Sequence, residues 1–172
     1  MILRTSRLVL RSLRQGDSEA VFALMSDDEA MRYWDWPALR DHETVAEIVS
    51  RQIAGMDEGT ALYWAVELAG PGTFLGVCDL SEIDRRHRRA EVGFLFGRAW
   101  WGNGYAFEAM SAIVAHAFGP LDLRRLWARF HDGNESSRRL LERLGFAYEG
   151  MLRGHIVRDG APRDCLIYGR LA

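Results

Sequence analysis

Apolar and polar positions change their period several times along this chain, and each change marks an element. Leu8, Leu10 and Ser12 alternate with Val9, Arg11 and Leu13, which predicts an opening strand. Asp17 is then placed to cap a helix running to about Ser26, with Ala20, Val21, Leu24 and Met25 on its apolar face. Val45, Ile48, Val49, Gln52 and Ile53 follow helical spacing and predict a second helix from about His42 to Met56. An aromatic loop, Tyr33-Trp34-Asp35-Trp36-Pro37, separates the two. Strand-like runs follow at Leu62 to Leu68 and Phe74 to Asp84, flanking the hairpin signal Ala69-Gly70-Pro71-Gly72. A third, Ala90 to Phe96, lies beyond an arginine-rich loop, so the three predict an antiparallel meander. From there strands and helices alternate: helix Phe107 to Phe118, strand Arg124 to Phe130, helix Asn134 to Leu144, then strands Phe146 to Leu152 and Asp164 to Arg170. Meander first and βαβ later predicts one mixed α/β (or α+β) domain over residues 1–172, with helices on both faces of a mostly antiparallel sheet of six to seven strands.

The chain's most informative stretch falls where the meander ends. Trp100-Trp101-Gly102-Asn103-Gly104-Tyr105-Ala106 joins a strand to a helix. Two glycines there let the backbone approach a ligand closely, and the unpaired N–H groups of a helix start attract phosphate. The same residues also suit a tight turn that uses glycine only for its dihedrals. A dinucleotide-binding fingerprint fits poorly, because the loop is not G-x-G-x-x-G and follows about 100 residues of antiparallel pattern.

Composition narrows the chemistry. All 22 basic residues are arginine, which rules out a P-loop, whose motif requires lysine. The net charge of −2 gives no footprint for nucleic acid. Arg85-Arg86-His87-Arg88-Arg89 reads either as an exposed hairpin loop or as a patch for an acidic partner. No apolar run approaches the roughly 20 residues that cross a bilayer, and the start of the chain lacks a secretory signal, so a cytoplasmic location and no membrane partner are expected. The two cysteines and five histidines are scattered, and no metal is expected.

Several segments together resemble a known family. Trp101 to Ala106 is similar to the acyl-CoA signature Q/R-x-x-G-x-G/A of the GNAT N-acetyltransferase superfamily. Asn134-Glu135-Ser136-Ser137-Arg138-Arg139-Leu140-Leu141-Glu142-Arg143-Leu144-Gly145-Phe146 resembles its later motif, N-x-x-S-x-x-L-x-x-x-G-F. The RimJ/RimL-like branch, which contains ribosomal-protein N-terminal acetyltransferases, is resembled more narrowly. Its landmarks here are Thr5 to Arg11, Ala90-Glu91-Val92-Gly93-Phe94, Trp101 through Ala109, Gly145-Phe146 with Glu149-Gly150, and Asp159-Gly160 with Arg163-Asp164. Two positions depart from the superfamily pattern. Trp101 replaces the usual Gln or Arg, a change familiar in that branch. Leu141 stands where many relatives carry a tyrosine thought to protonate the departing thiolate.

The resemblance implies acetyl-CoA as co-substrate and a primary amine as acceptor, either a protein N-terminal α-amine or a small amine metabolite, with homodimerisation common among relatives. An acyl-CoA-binding sensor without transfer is the alternative. Backbone N–H groups of Gly102, Asn103, Gly104, Tyr105 and Ala106 would hold the pyrophosphate. The fourth and fifth predicted strands are expected to splay, so that the pantetheine arm pairs with exposed main chain near Leu95 and Phe96, one of which would donate to the thioester oxygen. Asn134 is a candidate contact for that arm as well as an N-cap, and Ser137 is a candidate for assisting thiolate departure.

Transfer to an amine also needs a proton acceptor. Glu91 is the first candidate, since alternation puts it with Gly93 and Leu95, opposite Val92, Phe94 and Phe96. Its other reading is a surface glutamate paired with the arginine loop. Asp79 and Glu82 on the neighbouring strand are fallbacks. Tyr33, Trp34 and Trp36 are expected either to wall the acceptor site or to pack under the helices. Asp164 is expected to orient the amine or to make a turn contact. Cys165 and Glu108 read as structural.

Overall fold

The computed structural model describes residues 1–172. Its eight strands are β1 (Ile2–Arg4), β2 (Leu8–Ser12), β3 (Leu62–Leu68), β4 (Phe74–Asp84), β5 (Arg89–Phe96), β6 (Arg125–His131), β7 (Ala147–Arg158) and β8 (Ala161–Leu171). They form one sheet in the order β1-β2-β3-β4-β5-β6-β8-β7. Every neighbouring pair is antiparallel except β5–β6, which is parallel. Four helices flank it: α1 (Ser18–Met25), α2 (His42–Asp57), α3 (Tyr105–Phe118) and α4 (Glu135–Arg143).

Each face of the sheet has its own apolar layer. Leu8, Leu10, Trp64, Cys78, Leu80, Val92 and Phe96 pack with Met110 and Ile113 of α3, Leu141 of α4 and Leu144 just beyond it. The intervening strand positions, Ala65 and Leu95, pack with Val21, Leu24, Val45 and Val49 of α1 and α2. The first layer holds 23 buried residues and the second nine, so the main core lies between the sheet and the α3/α4 pair. That period-two division follows from strand geometry, which sends successive side chains to opposite faces.

Three details differ from the sequence reading. The expected six to seven strands become eight, because Ile2–Arg4 adds to the edge of β2, pairing Leu3 with Leu10. The last two strands are longer than predicted and meet at Asp159-Gly160, whose φ angles of 52° and 74° close a tight hairpin. Asp17 does not cap α1 with its side chain. Its carboxylate instead takes the Arg14 N–H and two bonds from Arg11, because a buried carboxylate beside a guanidinium gains more from the ion pair.

Candidate active site

The parallel ladder between β5 and β6 is short. It pairs Arg89 with Arg125, Ala90 with Leu126 and Glu91 with Trp127, and there it stops. Beyond Glu91 the strands diverge, so main chain from Val92 to Phe96 lines an open fork. The splay expected between the fourth and fifth predicted strands lies at this point. Gly97 N–H donates to the Leu75 carbonyl on β4. Alternation along an antiparallel ladder then turns the main-chain groups of Leu95 toward β4 and those of Phe94 and Phe96 into the fork. The Phe96 carbonyl is taken there by the Trp101 indole N–H at 2.8 Å, which ties the glycine loop to the end of β5. A glutamine or arginine would not place a rigid ring across that gap.

Gly102 and Gly104 have φ of 75° and 78°, and Gly104 is the N-cap of α3. Side chains rarely adopt that region, so the loop's course depends on glycine. Glu108 N–H bonds back to the Gly104 carbonyl, leaving the preceding N–H groups of the first turn directed outward. Asn103 turns its amide onto the carbonyls of Trp100 and Trp101, and its own carbonyl accepts from Arg7. Its side chain therefore braces the loop.

A negative Glu108 in the first turn of α3 would repel an anion at the helix start. The N-terminal segment neutralises it. Glu108 Oε1 accepts from Thr5 Oγ1 at 2.5 Å, Ser6 Oγ at 3.1 Å and Arg7 N–H at 2.9 Å, while Arg7 Nε donates to Oε2 at 2.6 Å. Partial burial disfavours the ionised carboxylate, but these hydrogen bonds outweigh it and hold the group down at about 2. A carboxylate whose folded value is depressed stabilises the fold above its ordinary value of 4.5 and loses that contribution as the pH falls toward 2. Glu108→Ala is accordingly expected to melt at lower temperature at pH 7. Calorimetry should find the gap between variant and wild type narrowing as pH drops below the ordinary carboxylate value; a gap independent of pH would contradict this account.

These elements enclose a cleft of about 460 Å³. It is lined by Phe94, Leu95 and Phe96 of the fork, by Gly102, Gly104, Tyr105 and Ala106 of the loop, and by Asn134 and Ser137 at the start of α4. Tyr33 and Trp34 close one side. Asn134 Oδ1 accepts from Ser137 N–H at 3.2 Å, so Asn134 is an N-cap as well as a lining residue. Arg139 and Arg143, which the sequence reading left without a role, add positive charge to the wall. Leu141 is buried in the core and offers no proton.

On the α1/α2 face of the fork the chemistry is ionic. Glu91 is half-buried at the last paired position of β5, and its carboxyl is pushed up to about 7, by burial first, against the pull of Arg129 and with repulsion from Glu82, Asp79 and Asp35 added. Asp79, whose carboxyl burial raises to about 6, lies across Gly93, where an added Cβ would run into Asp79 Oδ1. Tyr63 flanks both, its phenol driven up to about 12 by burial and these carboxylates. Glu91 makes no ion pair with the arginine loop, where Arg88 pairs with Asp122 and Arg89 with Asp84.

Asp35 has a role that the sequence did not suggest. It accepts from Arg129 Nη2 at 2.7 Å and Nη1 at 3.1 Å, and lies 3.0 Å from His131 Nε2. Burial disfavours its charge, yet these partners keep its carboxyl below the ordinary value. Arg158 of β7 donates to the carbonyls of Met31 and Trp34 at 2.7 and 2.9 Å. The aromatic loop is thus fastened to the sheet from two strands.

Four expected site residues lie outside the lining of the first cleft: Glu91 at the end of the β5–β6 ladder, Asn103 within the loop, Trp36 and Asp164. Trp36 lines a second cleft of about 690 Å³ with Leu39, Ile48, Tyr63, Ser81 and Glu82. Asp164 lines neither cleft; its Oδ1 accepts from Gly154 N–H at 2.7 Å across the β7–β8 hairpin. Cys165 is buried, and burial pushes its thiol up, making it a poor nucleophile. No group of three or more His, Cys, Asp or Glu side chains is arranged to hold a metal ion, and no helix is long and apolar enough to cross a membrane.

Comparison with known proteins agrees with this geometry. Residues 7–147 match the acetyltransferase (GNAT) domain family. The uncharacterized N-acetyltransferase YoaA of Bacillus subtilis (strain 168) is 34% identical over 167 residues, covering 97% of this chain and 94% of that protein. The [ribosomal protein uS5]-alanine N-acetyltransferase of Escherichia coli (strain K12) is 27% identical, over 94% and 86% of the two chains. Among solved structures, RimL, the ribosomal L7/L12 α-N-protein acetyltransferase in complex with coenzyme A, superposes with a TM-score of 0.91 at 21% identity, over 99% and 98% of the chains.

Proposed function

This chain belongs to the GNAT acetyltransferase domain family, and from that premise we propose that it moves an acetyl group from acetyl-CoA directly to a primary amine, within a ternary complex. The observation that carries the reading is the fork: open main chain on β5, a glycine cradle at its mouth and Glu91 at its base. The 460 Å³ cleft falls in the size range of cofactor sites, roughly 300–1,000 Å³. Main-chain N–H groups of Gly102 to Ala106 and the start of α3 suit a diphosphate, with Arg139 and Arg143 adding charge. The fork-facing groups of Phe94 and Phe96 suit the amides of a pantetheine arm and give an N–H donor for the thioester oxygen. The acetyl-CoA thioester supplies the activated acyl group.

The chain's own residues handle the protons. An α-amine or alkylamine is largely cationic at neutral pH, with reference values from about 8 to 10.4. Glu91, poised at about 7, is partly ionised there and can accept a proton directly or through water. Asp79 stands beside it as a second acceptor in a relay. Ser137, in the first turn of α4, faces the cleft where the thiolate would leave. The buried Cys78 and Cys165, both with raised thiols, favour direct transfer over an acyl-enzyme.

On the acceptor side, the aromatic loop and the second cleft beside Tyr63 and Glu82 suit an amine attached to an apolar or peptide body. We take an N-terminal α-amine or a small primary amine as the substrate class. The test is to mix protein, acetyl-CoA and an amine panel that includes short peptides with free N-termini and spermidine, and to follow free thiol. Amine-dependent thiol release with intersecting initial-velocity lines is expected. Parallel lines would overturn direct transfer. Binding of acetyl-CoA without release across the whole panel would favour a sensor.

A further inference from the structure

Glu91 has one cation near it and does not pair with it. Arg129 is the largest attractive charge acting on Glu91, and it projects from the same face of β6 on the other side of the fork. An opposite charge within roughly 4–6 Å typically lowers a carboxyl by 1–3 units. Arg129 is prevented from exerting that pull in full because both of its terminal nitrogens are engaged by Asp35. Asp35 is fixed in turn by His131 and by the loop whose carbonyls Arg158 holds. His131 is only 4% exposed, so the arrangement is built into the protein and is not a surface accident.

We propose that Asp35 is a positioning residue: by holding the guanidinium of Arg129 against His131 and the aromatic loop, it keeps that cation off Glu91 and leaves Glu91 free to take a proton from the acceptor amine. The proposal rests on the reading of Glu91 as proton acceptor. The groups facing Glu91 are Arg129 from β6, Asp79 and Glu82 from β4, Tyr63 from β3 and Asp35 from the loop. Three of these are carboxylates, Tyr63 is a neutral phenol, and Arg129 is the one cation among them. Removing the charge of Asp35 releases the guanidinium on its flexible stem, and Glu91 is the next carboxylate within its field. The Glu91–Arg129 pair that forms is a weaker base.

Asp35→Asn keeps the side chain's shape and removes its charge. The acid limb of kcat/KM, and the carboxyl-carbon NMR titration of Glu91 in labelled protein, are both expected to move to lower pH by about one unit or more. Arg129→Gln moves the Glu91 titration the opposite way, and the double variant cancels most of the Asp35→Asn shift. Asp35→Glu, which retains the charge, restores a limb near the wild-type position. A purely structural role for Asp35 lowers kcat/KM evenly across pH and leaves the titration unmoved, and that result would overturn the proposal. Failure of the Glu91 reading looks different: Glu91→Gln would then retain the wild-type acid limb, whatever Asp35→Asn does to the NMR titration. Should Asp35→Asn fail to fold, the upward shift in Arg129→Gln still decides, and its absence counts against the proposal.

Discussion

Glu91→Gln is expected to reduce kcat/KM for the amine by about a hundredfold to a thousandfold, the range in which a positioned general base contributes. Glutamine keeps the shape and neutral polarity of a protonated glutamate but cannot take a proton. The carboxyl is raised to about 7, so its protonated form dominates below that pH and its basic form above it. Wild-type kcat/KM should therefore climb as pH rises through about 7. The acceptor amine adds its own limb higher up, from about 8 for an α-amine to 10.4 for an alkylamine. Only the lower limb should disappear in the variant. The fold should not weaken, because removing a half-buried carboxyl that resists ionisation removes a desolvation cost at neutral pH. In linkage terms, a carboxyl with a raised folded value destabilises the protein as pH climbs above the ordinary 4.5. Glu91→Gln should thus melt no lower than wild type at pH 8. Unchanged turnover with an intact lower limb would sink the assignment.

Gly104→Val is expected to weaken acetyl-CoA binding by roughly ten- to a hundredfold, the equivalent of losing one charge-assisted hydrogen bond worth about 1.5–3 kcal/mol. Gly104 sits at φ 78° as the N-cap of α3, and a β-branched residue does not hold that angle without strain. The loop must re-aim, and the N–H groups at the helix start move with it. A control separates binding from stability. Gly70→Val places the same side chain at φ 96° in the hairpin between β3 and β4, far along the chain from the cleft. Both variants should lose stability, by about 1–3 kcal/mol of backbone strain. Only Gly104→Val should raise the calorimetric Kd for acetyl-CoA. Equal affinities in the two would mean that the loop holds no ligand.

Local pattern carried a large part of the architecture. The period-two runs at Leu62 to Leu68 and Ala90 to Phe96 are β3 and β5, and the Asn134 cap opens α4 one residue later, at Glu135. Gly104 of the glycine loop and Asn134 at the start of α4, 30 residues apart in the numbering, line one cleft. Asp17 stands at the N-cap of α1 as its local signal implies, but its carboxylate turns to Arg11, on a strand whose position depends on the fold. The hairpin tip at Asp159-Gly160 was visible as a motif, but its strands were cut short. Their outer halves are exposed and lack the apolar alternation that marks a half-buried strand.

Most elements and the glycine turn ahead of α3 are legible in the sequence, because each depends on residues within a few positions of one another. Which charges meet is set by the folded chain. Asp35 lies 94 residues from Arg129 and 96 from His131, Thr5 lies 103 from Glu108, and no spacing rule connects them. Whether Glu91 is a solvated surface carboxylate or a base near neutrality likewise depends on how far β5 and β6 stay paired and on what Arg129 holds instead. Electrostatic coupling acts through space at a few ångströms, and the sheet that brings those groups together is assembled from strands at both ends of the chain.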